Sequence, residues 1–198
     1  MDSILYWNDV ALEANRVSHT NGLGEQTGPT LSSRALAIVH LAMYDAFAGV
    51  TNNPAALPLY LPGLVLPPAG ASAPAAVAAA AHATLSALFP GQKPFFDLKH
   101  QQAGLQGPGL AAGHAFGLMV AQAMLNDRKM DPGAGDNGYA SSMHHGGHRP
   151  DPDNPTQGYH GPFYGKAKCF AVTARHALNS PPQPGSPIYL NALRQVRG

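Results

Sequence analysis

The chain has 198 residues, with 22 Gly, 19 Pro, only 12% charged residues and a formal net charge of +1. An apolar share of 44% argues against disorder throughout, and 12 basic against 11 acidic residues leave no basic footprint for nucleic acid. A single cysteine, Cys169, excludes an intrachain disulfide framework and any cysteine-rich zinc site.

Residues 3–17 predict an amphipathic helix. Ser3 is placed as its N-cap, with Trp7, Val10, Ala11, Ala14 and Val17 on the inner face. A Gly-rich loop over 18–30 leads to a second helix, 31–50, with Ser32 or Ser33 as N-cap. Leu36, Val39, Met43 and Phe47 form one apolar stripe there, and Ile38, Leu41 and Ala42 another, the pattern of a central helix. This stretch is long enough to cross a bilayer, but Arg34, His40 and Asp45 within it predict a buried helix, not a membrane span. Met1-Asp2-Ser3 lacks the basic start of a signal peptide. The compartment is otherwise open.

Residues 51–72 are Pro-rich and uncharged and predict an irregular connection. Helices follow over 74–89, almost entirely Ala around His82, Leu85 and Leu88, then over 92–106 and 109–128, the last striped by Leu110, His114, Leu118, Ala121 and Leu125. No segment shows the period of a strand, so the fold class is all-α, a helical bundle over 1–128. Residues 129–185 are a long Gly/Pro/His-rich loop region. Residues 186–198 open a further helix, with Ser186 as N-cap and Pro187 at its first position.

The candidate sites are few. His144-His145-Gly146-Gly147-His148, with Asp151 or Asp153, is bait for a metal, but its spacing matches no helical ligand motif, and a polar loop is expected instead. Asp131 and Asp136, like Asp151 and Asp153, lack the spacing of a calcium loop and suit turns better. Arg34 lies near a helix N-terminus, where an anion is favoured, and His40 could donate a proton to it. The competing reading makes Arg34, His40, Tyr44 and Asp45 satisfied polar groups of a buried helix. Phosphate loops, dinucleotide fingerprints and nucleophile elbows are absent.

Three segments carry a resemblance. Ile4-Leu5-Tyr6-Trp7-Asn8-Asp9-Val10-Ala11-Leu12-Glu13-Ala14-Asn15-Arg16 resembles the first helix of vanadium-dependent haloperoxidases of the chloroperoxidase type. So do Gly28-Pro29-Thr30 with the run Ser33 to Ala46, and Tyr159-His160-Gly161-Pro162-Phe163-Tyr164-Gly165-Lys166 followed by the Pro-rich step at 181–187. The resemblance implies an all-α fold, the first of two related bundles, in a superfamily shared with acid (PAP2-type) phosphatases. It also implies a vanadate cofactor held by three motifs in the second half of the family's chain: a Lys followed by Arg-Pro, a Pro-Ser-Gly-His and an Arg-x5-His.

This sequence departs from the first two motifs. Arg149-Pro150 is present, but Ser142 stands where the Lys belongs, and His145-Gly146-Gly147-His148 is not Pro-Ser-Gly-His. Ser33-Arg34-x5-His40 fits the third pattern, with Asp45 one residue later than the family's Asp, and reads as an echo of the second bundle.

The expectation is therefore an N-terminal scaffold half whose active centre lies beyond Gly198. No catalytic residue and no metal ligand is assigned to this chain. Arg34 and His40 are its only anion-binding candidates. Vanadate belongs to the complete protein and is not bound by this chain alone. In that complete protein, bound vanadate takes up peroxide and oxidises halide. The expected partner is the C-terminal bundle, from the same protein or a separate subunit, with a homo-oligomer as the other assembly. The alternatives are a phosphatase of the same superfamily and a non-catalytic structural or interaction subunit that keeps the bundle.

Overall fold

The computed structural model describes residues 2–133, 135, 138–144, 146–173 and 179–197. Six α-helices account for its regular structure, and no strand occurs among the described residues: α1 (Ser3–Ser18), α2 (Pro29–Thr51), α3 (Ala73–Leu88), α4 (Lys93–Gln102), α5 (Leu110–Arg128) and α6 (Pro187–Arg197). The chain divides into two compact units. One joins Met1–Ala134 with Phe163–Lys168, the other Gly135–Pro162 with Cys169–Gly198.

Helix α1 starts at Ser3 as expected but with a different cap, and α2 starts two residues earlier than expected, each for a local chemical reason. Asp2, not Ser3, caps α1: its Oδ1 accepts from the amides of Ile4 and Leu5 at 2.8 and 3.0 Å. A carboxylate there also meets the positive end of the helix dipole. Helix α2 begins at Pro29, with Gly28 at φ 84° as its cap. Proline's fixed φ and missing N–H suit the first helical position, and the left-handed backbone at Gly28 suits glycine. Ser32 and Ser33 are already inside the helix. Their hydroxyls donate backwards to Gln26 O and Pro29 O.

The centre of the first unit is α3 rather than α2. Every residue from Ala75 to Ala81 is buried, and α3 packs against α1, α2, α4 and α5. Small side chains let neighbouring backbones close in, and α5 comes closest. A β-carbon at Gly117 would fall on the carbonyl oxygen of Ala76 and 2.9 Å from the β-carbon of Ala79, and one at Gly113 would fall on the carbonyl oxygen of Ser72. The two glycines are four residues apart, hence on one face of α5. Trp7, Phe89 and Phe96 are the largest fully buried apolar side chains of this unit.

Helix α4 is shorter than the expected 92–106. A 3-10 turn, Pro90–Gln92, precedes it, and Gly104 at φ 60° follows. A left-handed glycine just past the last turn is a common helix stop. Helix α2 also holds the Pro-rich connection. Buried Asp45 accepts from the amides of Tyr60 and Leu61 at 2.6 and 3.0 Å, and Tyr44 donates to Pro58 O at 2.7 Å. Burial pushes the Asp45 carboxyl above its ordinary range, and the two amides pull against that.

In the second unit, Tyr139, His148 and Tyr159 form an aromatic cluster, with ring centroids 4.7, 5.0 and 5.9 Å apart. Helix α6 starts at Pro187 as expected: the hydroxyl of Ser186 accepts from Tyr189 N at 3.2 Å. No residue of α6 is buried, and Ile188, Tyr189, Leu190, Leu193 and Val196 are exposed. Among the described residues no helix is long and apolar enough to cross a membrane.

Candidate functional site

Arg34 faces the end of α5. Its Nε donates to Asp131 Oδ2 at 2.7 Å, and its Nη2 donates to the carbonyl of Arg128 at 2.8 Å. That carbonyl belongs to the last turn of α5, where oxygens lack helical partners, so Arg34 caps α5 with a cation at its negative end. Arg128 reaches the same carboxylate oxygen through Nε at 2.8 Å and donates through Nη2 to Lys168 O at 2.7 Å. The Lys168 ammonium in turn pairs with Asp127.

The side chains of Arg128 and Asp131 are 1% and 3% exposed, and that of Arg34 is 15% exposed. Two guanidinium groups therefore share one buried carboxylate. Beside them lies the Tyr164 hydroxyl, buried and with no hydrogen-bond partner among the described residues. Burial raises its pKa, the charge of Arg34 lowers it, and that of Asp131 raises it further.

His40 belongs to a different neighbourhood. Its Nδ1 lies 2.7 Å from Leu36 O, one turn back in α2, and its Nε2 lies 3.0 Å from Asn8 Oδ1 on α1. Six residues along a helix amount to about 120° around the axis and about 9 Å along it. The Arg-x5-His spacing thus sends its two side chains to different partners, α5 and α1. Vanadate is a highly charged oxyanion and needs several donors converging on one point. Arg34 and His40 do not converge, and the fork of Arg34 is engaged by Asp131 and Arg128. Arg34 and His40 together do not form a pocket that fits vanadate.

The remaining sequence candidates divide as follows. Asp136 and His145 lie outside the described residues. His144 is exposed, and His148 stacks within the aromatic cluster. Asp151 accepts from Asp153 N at 2.9 Å and from the Asn154 side chain at 3.3 Å, so it builds a turn. Among the described residues no group of three His, Cys, Asp or Glu is arranged to hold a metal ion.

One constellation escaped the sequence reading. His82 of α3, Asp97 and His100 of α4, and His114 of α5 meet beside Trp7. His82 Nε2 lies 2.7 Å from Asp97 Oδ1. The His82–His100 and His100–His114 ring centroids are 5.2 and 5.7 Å apart. The i, i+3 spacing of Asp97 and His100 puts both on one face of α4, which was readable. That this face meets a histidine from each of two other helices was not.

A family profile described as the vanadium chloroperoxidase N-terminal domain matches residues 1–169. The vanadium chloroperoxidase of Curvularia inaequalis is 36% identical over an alignment 234 positions long, gaps included, that covers 90% of this chain and 37% of that protein. The chain spans little more than a third of the length of the curated relative it matches. The profile match from residue 1 to residue 169 and the 36% identity along 90% of the chain agree, and the chain belongs to the vanadium chloroperoxidase N-terminal domain family.

Proposed function

We propose that this chain is the N-terminal scaffold bundle of a vanadium-dependent haloperoxidase, and that it supplies architecture rather than chemistry. The observation that carries the reading is the 36% identity along 90% of the chain to a vanadium chloroperoxidase of which it spans 37%. The local geometry supports it. Arg34 closes on Asp131 and the end of α5, His40 on α1, and neither is left to receive an oxyanion. Vanadate and the oxidation of halide by peroxide belong to the rest of the protein. The relative's activity favours this over a phosphatase. A non-catalytic subunit that keeps the bundle is separated from it by assay of the complete protein. The purified chain, given vanadate, peroxide and bromide, is expected to brominate no faster than free vanadate. Turnover above that rate overturns the assignment.

The partner is the C-terminal bundle. Helix α6 places Tyr189, Leu193 and Val196 at i, i+4 and i+7, and all three are exposed. An apolar stripe of this kind is stable only once covered, at roughly 25 cal/mol per Å² removed from water. Hydrogen exchange at 187–197 should be slow in the complete protein and fast in the isolated chain. Equal protection in both removes the need for a partner.

A further inference from the structure

Three imidazoles from three helices stand in a row: His82 of α3, His100 of α4 and His114 of α5. Adjacent rings are edge-to-face, at interplanar angles of 66° and 78°. Trp7 of α1 closes the row, 6.5 Å from His82 and 6.2 Å from His100.

The charges around His100 are few and mostly committed. Asp97, one turn back on α4, is bound by His82 and by Lys93, whose Nζ lies 2.8 and 2.7 Å from its two oxygens. Lys99 lies over the Phe95 ring, and the Tyr6 hydroxyl donates to Lys99 O at 2.8 Å. His100 Nε2 is buried with no hydrogen-bond partner among the described residues, and Trp7 Nε1, buried beside it, also lacks one. A neutral imidazole tolerates this, because one ring nitrogen carries no proton. An imidazolium does not: both nitrogens are donors, and here one would be buried without an acceptor, between the His82 and His114 rings.

Helix α4 is the element of this bundle best placed to respond. At ten residues it is the shortest of its five helices, and Phe96 is its only buried residue. The 3-10 turn at Pro90–Gln92 breaks the chain before it and Gly104, at φ 60°, after it. Beside it on α1 runs a cavity of about 410 Å³ lined by Tyr6, Asp9, Val10, Glu13, Phe95 and Lys99.

We propose that the histidine row is an acid-operated latch: with His100 neutral it holds α4 on the bundle, and when His100, set between His82 and His114, takes up a proton it releases α4 and widens the cavity between α4 and α1. His82 is not the trigger, since its Nε2 already has a carboxylate partner in Asp97. Burial first, then the charges of His82 and His114, hold the His100 pKa below its ordinary value, with Asp97 opposing. A histidine with a lowered folded-state pKa contributes stability that is present above the unfolded value of about 6.5. That contribution is lost as pH falls through the folded value, so the latch opens on the acid side. The device sits within the first unit and does not depend on the assignment of activity to the complete protein.

Amide exchange of the full chain, compared at about pH 7.5 and about pH 5.5 and corrected for intrinsic rates, tests it. Protection over 93–102 should fall by up to about tenfold in acid while the buried amides of α3 and α5 stay protected. In His100→Phe, which keeps an aromatic ring in the row, the acid response of α4 should vanish. Unchanged protection of α4, loss of α3 and α5 together with α4, or a response that survives His100→Phe overturns the proposal. If that variant does not fold, the imidazole resonances of the unmodified chain decide. His100 should titrate below the free value and in step with α4 opening, and titration at or above that value overturns the latch.

Discussion

Asp131→Ala should destabilise the bundle by about 3–5 kcal/mol, the range for removing one partner of a buried ion pair. For a chain of this size that lowers the melting temperature by about 10 °C or more. The reason is an excess of positive charge. Arg34 and Arg128 both reach Oδ2 of Asp131, and Arg128 is almost wholly buried. Without the carboxylate, both guanidinium groups lose the acceptor they share at the end of α5. Arg34→Ala should cost less, about 1–3 kcal/mol, because Asp131 keeps Arg128 and the loss is one charged hydrogen bond and one helix cap. Thermal melts of both variants check the order. In the complete protein, Arg34→Ala should leave vanadate affinity per folded molecule unchanged. An Asp131→Ala variant as stable as the parent would mean that the paired guanidiniums do not depend on this carboxylate.

Gly117→Ala should also destabilise, by about 1–3 kcal/mol or more, against the helix-propensity gain of about 1 kcal/mol that the same change brings to an unpacked helix. The added methyl group would meet the backbone oxygen of Ala76, which lies inside α3 and cannot rotate away. Relief requires α3 and α5 to move apart along their whole seam, which loosens the packing of Ala75–Ala81. Denaturant titration measures it. The control is Gly133→Ala, where a β-carbon meets nothing within 4 Å; it should be close to neutral. A stabilised Gly117→Ala variant would show that the helix seam is loose.

The histidine row shows where sequence reading ends. His82 stood among the larger groups of the Ala-rich third helix and His114 in the stripe of the fifth, while the sequence reading passed over Asp97 and His100, whose spacing puts both on one face of α4. Their meeting depends on how α3, α4 and α5 cross, and helix periodicity carries no information about that. Arg34 and His40 show the opposite hazard. Their spacing matches a known anion-binding pattern, yet the same spacing on one continuous helix separates the two side chains by about 120°. Arg128 and Asp131 looked like a helix end and a turn residue. Only the approach of α2 to the end of α5 makes them the two halves of a buried ion cluster.

Sequence alone was sufficient for the all-α class, for five helices of the bundle and the sixth at 187–197, and for the family. Each of these rests on local periodicity, capping chemistry or residue identity, which act over a few residues. The tertiary structure decided which helix is central. Apolar breadth pointed to α2, but the small side chains of α3 let four neighbours approach it at once, and closeness of approach, not hydrophobicity, selects the middle. It also decided the fate of every charged group in the core, because a buried charge is defined by what lies across from it, and that partner is set by packing between segments far apart in the chain.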